Sequence, residues 1–237
     1  MTEGSFYLNF DGVHSYVEIP DSPDFSVATK GQLTVSAWIQ PETIQLGALI
    51  FPTTEGGDES YVHWMGKGET HQQEWTFRIY SADNTVGRAN RISFYVFNPV
   101  GGIGIGSHYQ DPANPVLPGV WIHVVGAADA EKTYIYINGH LIQSNVYNGS
   151  ITPQHGSAPL RIGTRDFNSY FNGQIREVRL WNRTLSAAEI NALYNSGTIP
   201  AAGLVAEYLL TQDIAQDSAD SHNGIISDGK WIRQNGA

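Results

Sequence analysis

The chain lacks several residue types and patterns, and each absence excludes a class of protein. It has no cysteine, which excludes disulfide cross-links, thiolate zinc sites and cysteine nucleophiles. No segment approaches the run of about 18 apolar residues that a membrane-spanning helix needs, so membrane insertion is not expected. The chain has only 13 basic residues but 23 acidic ones, and the formal net charge of -10 argues against a nucleic-acid partner. The first residues also lack the basic and apolar segments of a signal peptide.

The residues that are present form a pattern of short strands. Hydrophobic residues make up 41% of the chain, enough to fill a core, and 25 glycines suit many tight turns. Alternation of apolar and polar residues is typical of half-buried strands. It predicts strands at 32–40, 74–80 and 91–97, with further strands at 121–126, 133–138, 160–163 and 174–181.

Local signals add one hairpin and one helix. Asn138-Gly139 is a strong two-residue hairpin signal, because both positions tolerate positive φ. Ser186 and Glu189 have the spacing of a capping box, and Gly197 ends the apolar stripe that follows. The prediction is therefore an all-β fold, a sandwich of two antiparallel sheets with one short helix.

Three segments together resemble the laminin-G-like (concanavalin A-like) jelly-roll family. They are LNFDGVHSYVEIPDS at 8–22, WIHVVGAADAEKTYIYING at 121–139 and GQIREVRLWNRTLSAAEINALY at 173–194. They frame nearly the whole chain, so the resemblance is specific for the fold. It implies a jelly roll at the cell surface or outside the cell that binds a carbohydrate or a protein, but no single activity.

The segment after the predicted helix leaves two alternatives open. Residues 203–231 are similar to the segment that usually precedes the FDG turn in the family, yet here they follow the helix. Residues 201–233 either complete the sandwich beside the N-terminal strand, making 1–237 one domain, or begin a second, truncated repeat. The first alternative is favoured, because half a domain would expose a strand edge.

The resemblance also implies a calcium ion at the rim of a sheet, held by a carboxylate of the closing strand and by groups near the N-terminus. The candidate ligands in this chain are Asp11 and Glu177. The family pattern G-x-I-D-E-V, however, has arginine here at Arg176, which repels a cation. Calcium is therefore a doubtful cofactor for this protein.

A sugar site needs flat aromatic rings beside polar side chains that reach hydroxyl groups. Such residues are concentrated between Pro52 and Pro118, where long loops are expected. The glycine-rich run at 101–106 lacks a following helix, so it predicts a tight turn and not a phosphate-binding loop. Trp64 and Tyr109 either stack on a sugar or pack to hold a loop. The candidate ligand-binding residues are His63, Trp64, Arg78, Tyr80, Arg91, Tyr95, His108, Tyr109, Asp111, Asp166 and Asn168.

Catalytic motifs are missing from the sequence. Retaining glycosidases need two carboxylates about 5 Å apart, and no E-x-D-x-x-E or E-x-D-x-E string is present. A lyase would need Gln, His, Tyr and Arg on one sheet, which the sequence matches only loosely. The prediction is a non-catalytic carbohydrate-binding module; the alternatives are a protein–protein or adhesion module and, less favoured, a polysaccharide-degrading enzyme.

Overall fold

The computed structural model describes residues 6–46, 50–52, 58–69, 71–98, 104–147, 149, 151–211 and 215–233. These residues form sixteen strands and two helices. The strands are β1 (Phe6–Asp11), β2 (Tyr16–Ile19), β3 (Leu33–Pro41), β4 (Ile50–Pro52), β5 (Asp58–Lys67), β6 (Trp75–Tyr80), β7 (Ile92–Phe97), β8 (Gly104–Tyr109), β9 (Ile122–Ala128), β10 (Lys132–Ile137), β11 (His140–Val146), β12 (Leu160–Ile162), β13 (Asn172–Trp181), β14 (Leu204–Tyr208), β15 (Ile225–Ser227) and β16 (Lys230–Arg233). The helices are α1 (Val27–Lys30), which is one turn long, and α2 (Ala187–Ser196).

The strands form two antiparallel sheets. The back sheet has the order β11-β10-β9-β3-β13-β1-β16, with β14 also paired to β13. The front sheet has the order β15-β2-β12-β5-β6-β7-β8, with β4 also paired to β5. Consecutive strands are neighbours in β5-β6-β7-β8 and β9-β10-β11, whereas pairs such as β1–β13 and β2–β12 join distant parts of the chain, as in a jelly roll. The predicted all-β sandwich is confirmed.

The core lies between the sheets and follows the alternation of the sequence. On β3 the inward positions carry Leu33, Val35 and Ile39, and on β6 they carry Trp75 and Phe77; all five side chains are fully buried. Because successive side chains of a strand point to opposite faces, the residues between them belong to the outer faces.

Residues after the helix contribute to both sheets. β14 pairs with β13, and β15 pairs with β2. β16 pairs with β1, with Leu8 opposite Trp231. This segment therefore lies beside the strands that follow the N-terminus.

The predicted hairpin and helix are both present. Asn138 and Gly139 have φ of 49° and 80°, as a two-residue hairpin turn requires. The Ser186 hydroxyl accepts from the Glu189 N–H, which completes the capping box at the start of α2. Ile190 packs on the outer face of the back sheet against Trp181. No helix of the described residues is long and apolar enough to cross a membrane.

Candidate functional site

The outer face of the front sheet carries a cluster of arginines and tyrosines. It consists of Tyr61 on β5, Arg78 on β6, Tyr95 on β7, His108 on β8, and Arg91, which immediately precedes β7. All five residues are partly exposed. The strand register brings them together, because β6 pairs with both β5 and β7, and β7 pairs with β8. We refer to these five residues as the arginine–tyrosine face.

Arg78 occupies the centre of this face and is surrounded by rings. Its guanidinium carbon lies 4.5 Å from the centroid of the Tyr61 ring and 4.9 Å from that of Tyr95. The ring of Phe97 is 5.8 Å away. The negative faces of aromatic rings attract a cation, so these contacts hold the planar guanidinium in a fixed place.

Arg91 is held at the edge of the face by Gln110. Its Nε and Nη2 atoms both donate to Gln110 Oε1, at 3.1 and 2.8 Å. The amide of Gln110 in turn donates to the carbonyl oxygens of Gly87 and Ala89. Two fixed donors and an anchored acceptor leave Arg91 little freedom.

Two glycines of β8 make room for the rings of β7. A Cβ atom on Gly106 would lie 2.7 Å from Cγ of Tyr95, and one on Gly104 would lie 2.6 Å from Cε1 of Phe97. Tyr95 and Phe97 therefore lie over bare backbone, with ring centroids 6.1 Å apart. The run predicted as a tight turn is, from Gly104 onward, a strand that receives aromatic rings; residues 101–103 lie outside the described part of the chain.

A buried ion pair supports the face from below. Arg165 Nη2 lies 2.5 Å from Asp166 Oδ2, and both side chains are almost fully buried. His63 Nδ1 lies 3.4 Å from Asp166 Oδ1, and Arg78 Nε donates to His63 Nε2 across 3.2 Å. This chain of contacts connects the buried carboxylate to the exposed guanidinium of Arg78.

The charge states follow from these surroundings. Burial lowers the pKa of His63 to about 3, against a smaller opposing effect of Asp166, so the ring is neutral at pH 7. Burial alone would raise the pKa of Asp166, but hydrogen bonds and charges of His63 and Arg165 outweigh it and hold that pKa well below its usual range. The buried layer is therefore an ionised pair beside a neutral imidazole.

Four of the predicted ligand-binding residues have buried side chains, and one of them is Asp166 of the ion pair described above. The prediction that Trp64 presents its ring from a loop is wrong, because Trp64 lies on β5 inside the core with its ring 4.5 Å from that of Phe77. Tyr80 is also fully buried, and the guanidinium of Arg91 lies 5.9 Å from its ring centroid. His63 is 3% exposed. Tyr80 and His63 are on the same side of the sheet as Tyr61 and Arg78, to which they are directly opposite, but they are buried and do not form the exposed surface.

Three others lie away from the face. Tyr109 is on the inward side of β8, packs against the core and donates its hydroxyl to the carbonyl of Asn114. Asp111 accepts from the Ala113 N–H and from the Asn114 amide, as a turn residue does. Asn168 is exposed and lines a separate cavity. The structure therefore brings only some of the eleven candidate residues together on one face.

That cavity is a second candidate site, at the rim of the sandwich. It has a volume of about 380 Å³ and is lined by apolar Leu46 and Val62 and by polar Asn168, Tyr170 and Asn172, among others. Its size suits a small ligand. Its described lining residues include one tyrosine but no arginine or lysine, unlike the arginine–tyrosine face.

The two predicted calcium ligands do not fit one ion. Asp11 lies opposite Asn172 in the β1–β13 register, and Glu177 is five residues further along β13, roughly 17 Å away at about 3.4 Å per residue. One oxygen of Asp11 already accepts from the N–H groups of Val13, His14 and Ser15. Within the described residues no group of three or more His, Asp or Glu side chains could hold a metal ion.

Arg176 occupies the position where the family pattern has an acidic residue, and it makes its own contacts within the protein. The Arg176 guanidinium lies 4.4 Å from the Trp121 ring centroid, and its Nη1 donates to the Tyr7 hydroxyl at 2.9 Å. Glu177 accepts from Arg179 Nη1 at 3.2 Å. The closing strand thus uses its charges within the protein, and the prediction of a shared calcium site at Asp11 and Glu177 is wrong.

Sequence reasoning missed four residues that shape the face. Tyr61 lies two residues before His63 on β5, so both are on the same side of the strand. Predicting this strand from the sequence would have placed Tyr61 on the outer side. Phe97 ends the predicted strand 91–97 and follows the same alternation as Tyr95. Gln110 and Arg165 left no sequence signal, because their roles depend on contacts with Arg91 and Asp166 that only the fold creates.

Comparisons with known proteins agree with this architecture. The family model Laminin_G_3, described as the concanavalin A-like lectin/glucanases superfamily, matches residues 11–191. A search of curated protein sequences gives no match. A candidate carbohydrate-binding protein from Bacteroides ovatus ATCC 8483 is similar in structure, with a TM-score of 0.63 and 17% identity over 99% of this chain. The match covers 61% of that protein's length.

Two further solved structures share the sandwich. A heptameric SAP-like pentraxin from Limulus polyphemus has a TM-score of 0.58 and 12% identity, over 95% of this chain and 96% of its own. The binding domain of botulinum neurotoxin DC, solved with rat synaptotagmin II, has a TM-score of 0.56 and 16% identity, over 81% of this chain and 46% of its own. At such identities these likenesses show the fold alone. The family match over most of the sequence shows that the chain belongs to the concanavalin A-like lectin/glucanase superfamily.

Proposed function

We propose that this protein is a non-catalytic carbohydrate-binding module that holds a glycan on the arginine–tyrosine face. The observation that carries the proposal is the fixed, partly exposed arrangement of Tyr61, Tyr95 and Arg78 on one sheet. A pyranose ring has apolar C–H faces that pack on aromatic rings, and hydroxyl groups that accept from a guanidinium. The face offers both kinds of contact on a rigid strand scaffold, so little order has to be created on binding.

Family membership and the fold support a sugar ligand. The chain belongs to a lectin and glucanase superfamily, and the similar protein from Bacteroides ovatus is a candidate carbohydrate-binding protein. A location outside the cell or on its surface, where polysaccharides are met, is part of the same proposal.

The same face argues against glycoside hydrolysis. That reaction needs two carboxylates flanking the scissile bond, one of them free to donate a proton. Asp166 contacts the face from below, but it is ionised and paired with Arg165. The described part of the face therefore supplies no pair of free carboxylates, which favours binding over hydrolysis.

A glycan array followed by calorimetry tests the proposal. We expect saturable binding of at least one glycan, lost on Tyr95→Ala and retained on Tyr170→Ala. Tyr170 is also a partly exposed tyrosine, but it lines the rim cavity. If glycan binding is lost on Tyr170→Ala and retained on Tyr95→Ala, the site lies in that cavity and not on the face. Binding of no glycan would overturn the proposal.

An exposed edge strand favours a protein partner as the second candidate. β11 is the first strand of the back sheet, and Leu141, Ile142 and Val146 are all exposed on it. Gln143 and Asn145 of β11 bond to the backbone of β8, while the exposed apolar side chains remain available for contact with another chain. Sedimentation at rising protein concentration tests for contact between two copies of the chain. Association that is abolished by Ile142→Lys supports a protein contact through β11. A protein that stays monomeric at every concentration shows that it does not self-associate through this strand.

A further inference from the structure

We propose that the ligand of the arginine–tyrosine face is an acidic sugar, whose carboxylate is bound by Arg78 and Arg91. This inference rests on the proposed carbohydrate-binding function and narrows it to uronic-acid-containing glycans. It comes from the way the arginines of the chain are partnered.

Most arginines of the protein have a carboxylate beside them. Ion pairs link Arg161 to Glu18 and Glu69, Arg165 to Asp166, Arg176 to Glu177, Arg179 to Glu177 and Glu207, and Arg183 to Glu189. In a chain with 23 acidic and 13 basic residues such pairing is expected. Arg78 and Arg91 differ, because no carboxylate of the described residues lies within ion-pair distance of either.

The partners of these two arginines are neutral groups. Arg78 contacts the His63 ring and the faces of Tyr61 and Tyr95. Arg91 contacts the side-chain amide of Gln110. Neutral partners fix the position of a guanidinium, and no carboxylate of the described residues pairs with its positive charge. Two such charges on one face are suited to an anion from outside the protein.

The guanidinium of Arg78 suits a carboxylate. Its Nε donates to His63 and the side chain also interacts with the Tyr80 hydroxyl, so the remaining N–H groups of Nη1 and Nη2 are the donors for an outside ligand. Two parallel N–H donors match the two oxygens of a carboxylate, which is the strongest arrangement that arginine forms. The adjacent rings of Tyr61 and Tyr95 provide the surface on which the sugar ring that bears the carboxylate can lie.

The surroundings of His108 point the same way. Burial lowers the pKa of His108, and the charges of Arg91 and Arg88 lower it further. A proton is therefore disfavoured at a partly exposed histidine of a protein whose net charge is -10. This end of the face has a locally positive potential, which attracts an anion.

Isothermal titration calorimetry with a matched pair of ligands tests the inference. The probes are oligomers of polygalacturonate and the same oligomers as methyl esters, which keep the ring and lose the charge. We expect the acid to bind about tenfold or more tightly than the ester, as the loss of a charge-assisted bidentate contact predicts. The difference should shrink as salt is raised, because salt screens exposed charges.

Four arginine variants localise the effect. Arg78→Gln and Arg91→Gln should each weaken binding of the acid about tenfold and weaken binding of the ester by a smaller factor, because the ester loses only hydrogen bonds to its hydroxyl groups. Arg176→Gln removes the same charge from the back sheet and should leave both affinities unchanged. Arg78→Lys keeps the positive charge but lacks the two parallel N–H donors of arginine. Its affinity for the acid should lie between those of the wild type and Arg78→Gln. Circular dichroism and thermal melting establish that each variant is folded before binding is compared.

The outcomes separate the inference from the proposed function. Preferential binding of the acid that depends on Arg78 and Arg91 supports both. Equal binding of acid and ester, or binding only of uncharged glycans, overturns the acidic-sugar inference and leaves carbohydrate binding intact. Acid binding that Arg176→Gln weakens as much as Arg78→Gln also overturns it, since the attraction is then unspecific. Binding of no glycan at all overturns the proposed function itself.

Discussion

Arg78 Nε donates to His63 Nε2 across 3.2 Å, and this bond joins the exposed face to the buried ion pair of Arg165 and Asp166. The partly exposed guanidinium of Arg78 is thus oriented by a carboxylate that it does not touch. A change at Asp166 should therefore affect both the stability of the fold and the affinity of the face.

Asp166→Asn tests this connection. Removing the carboxylate leaves the buried Arg165 without its counter-charge, so we expect the free energy of unfolding to fall by about 3–5 kcal/mol. Glycan binding should weaken several-fold, because His63 loses its charged neighbour. Urea unfolding and calorimetry measure the two effects. Asn168→Ala is the control, since Asn168 contacts Asp166 only through its backbone N–H; wild-type stability of Asp166→Asn would contradict the prediction.

Trp64 should contribute to stability and not to binding. Trp64→Ala deletes a fully buried ring that packs on Phe77, and we expect a loss of about 3–5 kcal/mol in the free energy of unfolding. Trp64→Phe should lower the free energy of unfolding by a smaller amount and remain folded. Its glycan affinity should equal that of the wild type. A folded Trp64→Phe variant that no longer binds would show that the indole contacts the ligand after all.

Gly106 should be required for the face. A methyl group at this position would lie 2.4 Å from the carbonyl oxygen of Phe94 and 2.7 Å from the Tyr95 ring, so β8 or the ring must move. We expect Gly106→Ala to cost about 1–3 kcal/mol of stability and to weaken glycan binding. Gly156→Ala is the matched control, because its new methyl group meets nothing closer than 3.6 Å. Equal affinity of the two variants would contradict the role given to Gly106.

Two buried histidines should make the fold sensitive to acid. Burial lowers the pKa of His63 to about 3 and that of His123 to about 4, from 6.5 for an exposed ring. Because the folded pKa lies below the unfolded one, the unfolded chain binds more protons below pH 6.5. Stability should be full above that pH and fall as the pH drops, by up to about 1.4 kcal/mol per pH unit for each histidine.

Denaturant unfolding between pH 7 and pH 4 measures this slope. His63→Gln and His123→Gln should each reduce it by about one proton's contribution. His14→Gln, at an exposed position, is the control. A wild-type slope in both buried variants would contradict the assignment.

Calcium should affect neither folding nor binding. Asp11 on β1 lies opposite Asn172, five residues from Glu177 along β13, and the Arg176 guanidinium lies over the ring of Trp121 at the position where the family pattern has an acid. We expect the same melting midpoint and the same glycan affinity in excess calcium and in EDTA. A midpoint that rises with calcium would reveal a site formed by other residues.

The sequence predicts the fold better than the site. Alternation places Leu33 and Phe77 inward and Arg78 and Tyr95 outward, because it records which face of each strand is buried. Capping at Ser186 is equally local. Such signals depend on neighbours in the chain, and they identify elements without specifying which elements meet.

The misplaced residues show where local signals fail. Trp64 lies in a strand with a register shift between His63 and Met65, and this bulge interrupts the alternation that would have revealed it. Tyr109 faces inward although its neighbour His108 faces outward. The contact of His63 with Asp166 joins strand β5 to a loop far along the chain, which only the assembled front sheet determines.

The pairing of β1 with β13 and β16 has a consequence for biogenesis. Both partners of β1 are synthesised long after β1 itself. During translation Leu8 and Phe10 therefore have no neighbouring strand of their sheet until β13 and β16 leave the ribosome. Such non-local pairing makes folding slow and keeps an apolar segment exposed, so the nascent chain should depend on chaperones until these strands have emerged.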